Sequence, residues 1–202
     1  MHENEAKAWI EHPEKTERLL RRLTGSPVHC MKNDEYWTIG GKTIRIREET
    51  IDGKTTVLIT QKVKTIAETL ENNQELECEL PVTSAPVFRA ILKNTGFIRT
   101  AQKEKNTKIF TPFRDFFEPA LLADDPHITV ELSFIPPLGS FLEIEVLYQD
   151  SVQDIFEERQ RILNAQQIIN MVLRVLNIPM EAIEARPYNE LLREHKMEQE
   201  VK

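Results

Sequence analysis

Residues 141–146, Phe-Leu-Glu-Ile-Glu-Val, are the segment most informative about the fold. Its apolar residues alternate with two glutamates, and in an extended strand successive side chains point to opposite faces. The apolar side chains would therefore lie on one face, and those of Glu143 and Glu145 on the other. This pattern predicts a β-strand with one apolar and one charged face.

Alternation with charges of mostly one sign recurs elsewhere in the chain. Glu3, Glu5 and Lys7 stand at two-residue spacing, and Arg45 and Arg47 are set into Thr-Ile-Arg-Ile-Arg. For any one strand, a half-buried sheet with its charges in water is the simpler interpretation. Like charges one strand step apart nevertheless repel each other, more strongly where water is scarce. Taken together, the strands favour a multivalent ligand lying between rows of opposite charge.

Further charged positions fit either interpretation. Lys103 and Lys105 form a second cationic pair, Glu77 and Glu79 a further carboxylate pair, and Lys62 follows Leu-Ile-Thr-Gln. The histidines show no metal-ligand spacing, and neither a glycine-rich phosphate loop nor a recognisable nucleophile motif occurs. The candidate chemistry therefore rests on the charged strands.

The rest of the pattern predicts an α+β domain. Strands are predicted at residues 3–10, 30–37, 43–48, 56–62, 76–82, 97–110, 127–134 and 141–148. Helices are predicted from Pro13 to Gly25, from Ala85 to Thr95, from Val152 to about Leu176, and from near Pro187. Asp52-Gly53 indicates a hairpin, the polar stretch 65–75 a loop or short helix, and 111–126 an irregular connection. About eight antiparallel strands with helices outside could close into a barrel.

Composition limits the classes of function. The chain has 202 residues and a net charge of -7, which argues against a general binder of nucleic acid or of acidic membranes. Cys30 and Cys78 lie far apart and indicate no disulfide framework. No apolar run indicates a secretory signal or a membrane span. We therefore expect a cytoplasmic protein without nucleic-acid or membrane partners, for which a homodimer is allowed.

The order of these motifs resembles that of the CYTH superfamily, also called triphosphate tunnel metalloenzymes. This superfamily includes class IV adenylyl cyclases, thiamine triphosphatases and inorganic triphosphatases. The segments that resemble its motifs are Glu3-Asn-Glu5-Ala-Lys7 (Glu-x-Glu-x-Lys), Arg45-Ile-Arg47 (Arg-x-Arg), Thr60-Gln-Lys62 (Thr-x-Lys), residues 138–145 (Leu-Gly-x-Phe-x-Glu-Ile-Glu) and residues 187–192 (Ser-Tyr-x-x-Leu-Leu). The resemblance predicts one CYTH-like domain over 1–192 and a charged tail over 193–202.

Three positions depart from the family pattern. Glu77 stands where an arginine often precedes the glutamate that is Glu79 here, and Lys103-Glu-Lys105 replaces Lys-x-Arg. Glu131 takes the place of an aspartate. Lys105 in place of an arginine keeps the positive charge but lacks the forked guanidinium group.

The resemblance implies a closed eight-stranded antiparallel barrel with a polar interior, packed with helices outside. The residues implied to bind triphosphate are Lys7, Arg45, Arg47, Lys62, Lys103 and Lys105. The residues implied to bind Mg²⁺ or Mn²⁺ are Glu3, Glu5, Glu143 and Glu145, with Glu79 and Glu131 as further candidates. Glu3, Glu5 and Lys7 are implied to be catalytic.

The expected function is metal-dependent hydrolysis of tripolyphosphate, a nucleoside triphosphate or thiamine triphosphate. A class IV adenylyl cyclase is the first alternative, because the run Asn33–Tyr36 and Tyr188 fit that branch equally well. A non-catalytic polyphosphate- or nucleotide-binding module is the second, suggested by Glu77 in place of a cation. The motifs alone do not separate these three.

Overall fold

The computed structural model describes residues 2–67, 70–148 and 154–200, with the side chains of 2, 3, 62–67, 70–75 and 200 excepted. The strands in these ranges are β1 (His2–Trp9), β2 (Val28–Ile39), β3 (Lys42–Ile51), β4 (Lys54–Ala67), β5 (Leu70–Leu80), β6 (Ile98–Phe110), β7 (His127–Ile135) and β8 (Gly139–Tyr148). The α-helices are α1 (Pro13–Thr24), α2 (Ala85–Asn94), α3 (Ile155–Val175) and α4 (Tyr188–Glu200).

The strands form one eight-stranded sheet in the order β1-β8-β7-β6-β2-β3-β4-β5. The predicted α+β class is thereby confirmed, whereas closure of the sheet into a barrel stays a prediction. The chain divides into two compact units, unit 1 (Met1–His29 and Thr107–Lys202) and unit 2 (Cys30–Asn106). The predicted single domain over 1–192 also stays a prediction.

In unit 1, the apolar face of the sheet packs against helices. Leu142, Ile144 and Val146 of β8 are fully buried. They share a core with one buried side of α3, which includes Ile168 and Leu173. The face of β8 opposite to its glutamates is therefore the one that stabilises the fold, as the alternation in 141–146 predicts.

In unit 2, the apolar face of the strands likewise packs against a helix. Trp37, Ile46 and Val57 form a buried cluster with Ala85 and Leu92 of α2. The alternate residues of β3, among them the arginines, are thus left on the other face.

The predicted hairpin at Asp52-Gly53 is confirmed. Asp52 has φ 49° and Gly53 φ 76°, and Ile51 pairs directly with Lys54. Positive φ at both central residues is the conformation of the tight turn that joins twisted antiparallel strands.

The prediction of a loop or short helix over 65–75 is wrong. The antiparallel pairing of β4 with β5 runs without a break from Val57↔Leu80 to Ala67↔Leu70. The polar composition of this stretch suggested a loop. In a strand pair, however, the backbone groups bond to each other whichever side chains they carry, so the ladder extends through a polar sequence.

The connection over 111–126 is irregular, as predicted, and contains two short 3₁₀ turns, Arg114–Phe116 and Pro119–Leu122. Phe117 and Leu121 from this connection are buried in the core of unit 1. In the described part of the chain, no helix combines the length and apolar character needed to cross a bilayer.

Candidate functional site

The polar face of the sheet in unit 1 brings together most of the predicted metal-binding residues. Lys7 pairs with Glu143 and Glu5 with Glu145 across β1 and β8. Glu131 of β7 pairs with Glu143 on its other side. Residues directly opposite each other in antiparallel strands share a face, with Cβ atoms about 4.5–5.5 Å apart. Two adjacent rows result, one of Lys7, Glu143 and Glu131 and one containing Glu5 and Glu145.

These two rows differ in exposure. Lys7 is 9% exposed and Glu131 8%. Glu143 and Glu145 are half-buried, and Glu5 is exposed. The row of Lys7 is therefore the desolvated one, in which each charge needs a partner.

The start of α4 supplies partners for this desolvated row. The hydroxyl of Tyr188 donates to Glu143 Oε1, and Lys7 Nζ donates to the Arg186 carbonyl. Lys7 Nζ also lies 4.3 Å from the centre of the Tyr188 ring. Burial first, and then the charge of Glu143, raises the pKa of Tyr188 far above its ordinary value. Tyr188 therefore stays protonated and acts as a donor to the carboxylate.

The backbone before α4 is fixed to β1. The Glu184 amide donates to the Lys7 carbonyl over 2.7 Å, and Trp9 Nε1 donates to Glu184 Oε2 over 3.2 Å. The closing segment was predicted from its resemblance to a family motif, but its contacts with Lys7 and Glu143 were not predicted. The connection depends on how the end of the chain returns to β1, for which the sequence offers no local signal.

The carboxylates of this face have the donor chemistry of a Mg²⁺ or Mn²⁺ site, because both ions prefer oxygen ligands. Among the side chains that the structure describes, however, no group of three or more His, Cys, Asp or Glu is arranged to hold a metal ion. The side chain of Glu3 lies outside the described residues. Glu79 belongs to unit 2, where it is exposed and pairs with Leu58. The metal-binding roles thus stay predictions.

The polar face of unit 2 carries the predicted arginines in two neighbouring rows. The first row consists of Tyr36, Arg45, Thr60 and Glu77, and the second of Asp34, Arg47, Leu58 and Glu79. Each row crosses β2, β3, β4 and β5 in that order. Arg45 and Arg47 therefore lie on the face away from the apolar cluster, as their alternation with Ile44 and Ile46 predicts.

Asp34 is the centre of an ion cluster in the second row. Its side chain is 0% exposed and accepts hydrogen bonds from Arg47 Nε at 2.7 Å and Nη2 at 2.9 Å. Lys103 Nζ lies 3.0 Å from Oδ2, and the Tyr36 hydroxyl donates to the same oxygen over 3.3 Å. Burial alone would raise the pKa of Asp34, but Arg47 and Lys103 outweigh it and hold this pKa well below its ordinary value.

The pKa values of Lys103 and Tyr36, which both contact Asp34, are also shifted. Burial is the largest influence on Lys103 and lowers its pKa to about 8, although the charge of Asp34 acts in the opposite direction. Burial, followed by the charge of Asp34, raises the pKa of Tyr36 to about 12. Lys103 was predicted to bind phosphate, whereas no role at this site was predicted for Asp34. The two-residue spacing of Lys32, Asp34 and Tyr36 along β2 was the available signal.

Arg45 carries a buried hydrogen-bond donor in the first row. Its Nη2 donates to Thr60 Oγ1 over 3.0 Å, and Thr60 Oγ1 donates to Glu77 Oε2 over 2.8 Å. Its Nε is buried and has no hydrogen-bond acceptor among the described residues. A buried N–H without an acceptor is costly and rare in native proteins. An anion at this position would satisfy it.

Glu77, the departure from the family pattern, contacts the same arginine. Its Oε2 lies 3.7 Å from Arg45 Nη2, and its side chain is 44% exposed. It thus places a carboxylate at the end of the Arg45 row and reduces the net charge there.

Lys105 and Lys103 are both buried, at 4% and 5% exposure. Lysines are rarely this buried unless their charge is compensated. The side chain of Lys62 lies outside the described residues, so its predicted role stays a prediction.

The chain matches no protein-family model, and no curated protein matches it. Solved structures do match over nearly the whole chain. The PH1819 protein of Pyrococcus horikoshii OT3 is 23% identical, has a TM-score of 0.72, and aligns over 96% of this chain and 99% of its own. A candidate adenylate cyclase from Vibrio parahaemolyticus is 15% identical, with a TM-score of 0.62 and coverage of 95% and 97%.

A candidate adenylyl cyclase from Hippeastrum, described as having a dominant triphosphatase activity, is 16% identical and has a TM-score of 0.56 over 96% of both chains. Likeness at this level of identity concerns the fold. This chain shares its fold with these proteins along nearly its full length, which agrees with the resemblance of its motifs to the CYTH superfamily.

Proposed function

We propose that the chain is a divalent-metal-dependent enzyme that hydrolyses a triphosphate, either tripolyphosphate, a nucleoside triphosphate or thiamine triphosphate. The observation that carries the proposal is the buried Nε–H of Arg45, which has no acceptor among the described residues and lies on a polar face that also bears Arg47 and Lys103. A phosphate oxygen would supply the hydrogen-bond acceptor that this N–H lacks. The fold shared with a protein described as a triphosphatase supports the same class of substrate.

The cations of unit 2 would bind and orient the phosphates. The two guanidinium groups can each hold phosphate oxygens in a bidentate way, whereas Lys103 and Lys105 offer compact charges. Lys7 in unit 1, and Lys62, keep their predicted roles as further phosphate ligands. Because Arg45, Arg47 and Lys103 already have partners that hold them before the ligand arrives, little reorganisation of these three groups would oppose the reaction.

The carboxylates Glu5, Glu143, Glu145 and Glu131 are the proposed ligands of Mg²⁺ or Mn²⁺, with Glu3 as a predicted further ligand. A bound ion of this kind supplies charge neutralisation and makes a bound water more acidic. The contribution of Tyr188 is to orient Glu143 by donating to one of its oxygens.

Catalysis of phosphoryl transfer consists mainly of positioning and of stabilising negative charge. In the hydrolysis that we propose, a water oxygen bonds to the terminal phosphorus. The bond from that phosphorus to the bridging oxygen then breaks, so the rest of the substrate is the leaving group. The water gives up a proton to solvent, and the terminal phosphorus is released as orthophosphate. In the alternative cyclase reaction, the ribose 3′-hydroxyl attacks the α-phosphorus and pyrophosphate leaves. Two of the structural neighbours carry cyclase names, which keeps this alternative open.

A non-catalytic binding module is the second alternative, and one contact favours it. Glu77 lies 3.7 Å from Arg45 and opposes the binding of an anion there. A module that only senses triphosphates would tolerate this carboxylate more easily than an enzyme whose turnover depends on Arg45.

The test is to incubate the purified full chain with tripolyphosphate or ATP, with Mg²⁺ or Mn²⁺ and with EDTA as the control. We expect metal-dependent release of orthophosphate. Cyclic AMP with pyrophosphate would establish the cyclase instead, and tight binding without turnover the binding module. If calorimetry detects no binding and no product forms, the proposal is wrong.

A further inference from the structure

Asp34 is a buried titratable group to which the mechanism proposed above gives no role. Its carboxylate is fully buried and lies between Arg47 and Lys103, both of which we assign to phosphate binding. A fully buried carboxylate is costly unless cations compensate it. Arg47 and Lys103 provide this compensation, and Asp34 in turn contacts both of these proposed phosphate ligands.

The geometry around Asp34 is that of a support for two cations. Arg47 donates through Nε and Nη2 to both carboxylate oxygens, so the plane of its guanidinium is fixed by a two-point contact. Lys103 comes from β6 and lies 3.0 Å from Oδ2. One carboxylate thus sets the orientation of an arginine on β3 and the position of a lysine on β6.

We propose that Asp34 is a positioning residue of the triphosphate site, which orients Arg47 and keeps the buried Lys103 protonated and able to bind phosphate. This inference rests on the proposed function for its consequence in binding. The effect on Lys103 itself does not depend on that function.

The charges around Lys103 determine the direction of the effect. Burial and the positive charges of Lys105 and Arg47 favour loss of its proton, and Asp34 opposes them. Their balance gives Lys103 a pKa of about 8. A nearby opposite charge shifts a pKa by about 1–3 units, so the pKa of Lys103 should fall by about that amount without Asp34.

A role as a mere competitor for the cations predicts the opposite result. If Asp34 only neutralised Arg47 and Lys103, its removal would add one positive charge to the site and would raise affinity for an anion at every pH. The two roles are therefore distinguished by sign.

The experiment measures the affinity for tripolyphosphate by calorimetry between pH 6 and 9 in the wild type, Asp34→Asn and Glu35→Gln. Glu35 is the matched control, because it is the next residue of β2 and forms an ion pair with Arg89 at 3.0 Å, but does not belong to the Asp34 cluster. In the wild type, affinity should fall as the pH rises through about 8 and Lys103 loses its proton. The ligand's own titration is common to all variants and cancels in the comparison.

In Asp34→Asn, we expect weaker binding at pH 7 and the onset of the fall displaced to lower pH by about 1–3 units. Glu35→Gln should keep the wild-type profile. An affinity that rises at every pH, or a profile that does not move, would overturn the inference while leaving the proposed function intact.

A second measurement covers the case in which Asp34→Asn does not fold. NMR titration of the Lys103 side chain in the free wild-type protein should give a pKa near 8, and Lys103→Gln should remove the step near pH 8 from the affinity profile. A Lys103 pKa at its ordinary 10.5 would overturn the inference. Absence of any tripolyphosphate binding, together with the expected shift of the Lys103 pKa in folded Asp34→Asn, would instead refute the proposed function and leave the support of Lys103 by Asp34 standing.

Discussion

At the level of single residues, the contrast between Arg45 and Arg47 is the most informative. The two lie two positions apart on one strand and share a face, yet their surroundings differ. Arg47 is held by two hydrogen bonds to Asp34, whereas the buried Nε of Arg45 meets no acceptor in the part of the chain that the structure describes. Arg45 therefore retains unused capacity to bind an anion.

Arg45→Ala should weaken tripolyphosphate binding roughly tenfold or more, because hydrogen bonds to charged groups contribute about 1.5–3 kcal/mol each. The fold should be retained, since Thr60 still donates to Glu77. Calorimetry measures the affinity. Arg99→Ala is the control, because Arg99 is half exposed and pairs with Glu35. Equal affinities in Arg45→Ala and the wild type would remove Arg45 from the proposed site.

Glu5→Gln should abolish metal-dependent turnover and leave the circular dichroism spectrum unchanged. The amide keeps the size of the side chain but loses the charge that a divalent cation requires. Glu5 is preferable to Glu143 for this purpose, since Glu143 also accepts a hydrogen bond from Tyr188. Glu14→Gln, at an exposed position of α1, is the control. Near-normal activity in both Glu5→Gln and Glu143→Gln would contradict the metal assignment.

At the level of elements, the alternation of side chains accounts for how much the sequence could predict. The two-residue period of Glu143 and Glu145 correctly placed the carboxylates on one face and the aliphatic residues in the core. This period could not predict how deeply each side chain of a charged face is buried. Asp34 is fully buried, and one of its two counter-charges is a lysine of β6 that lies nearly seventy positions away in the sequence. Local composition likewise misjudged 65–75, where pairing with the partner strand decides the conformation.

Helix α3 offers a matched pair for testing the core of unit 1. Leu173 is 2% exposed and Leu163 is 51% exposed on the same helix. Leu173→Ala should lower the free energy of unfolding by about 2–5 kcal/mol, since it leaves a cavity. Leu163→Ala should change it by no more than about 0.5 kcal/mol. Urea unfolding measures both, and similar losses in the two variants would contradict the packing of α3 described here.

At the level of the whole molecule, both units contain carboxylates with lowered pKa values. Arg186 lowers the pKa of Glu184 to about 2 in unit 1. Arg47 and Lys103 hold that of Asp34 below its ordinary value in unit 2, against the effect of burial. Carboxylates of this kind stabilise the folded state above their unfolded-state pKa, and the contribution is lost as the pH falls through the folded-state pKa.

The free energy of unfolding should therefore fall progressively as the pH decreases below about 4.5, the ordinary value for a glutamate. These groups should cause no change between pH 7 and pH 5.5, where they are ionised in both states. Urea unfolding at pH 7, 5.5, 4 and 3 measures the trend. A free energy of unfolding at pH 3 equal to or above that at pH 7 would show that these ion pairs do not stabilise the fold.

The two-faced strands have a consequence for how such proteins can diverge. Because packing constrains every second residue of a strand, mutations at the other positions can change the charges of one face without altering the packing of the opposite face. Chains that are only 15–23% identical can thus share this backbone. In the triphosphate site that we propose, a new substrate preference would then need only a few exchanges of charge, such as the glutamate that lies beside Arg45.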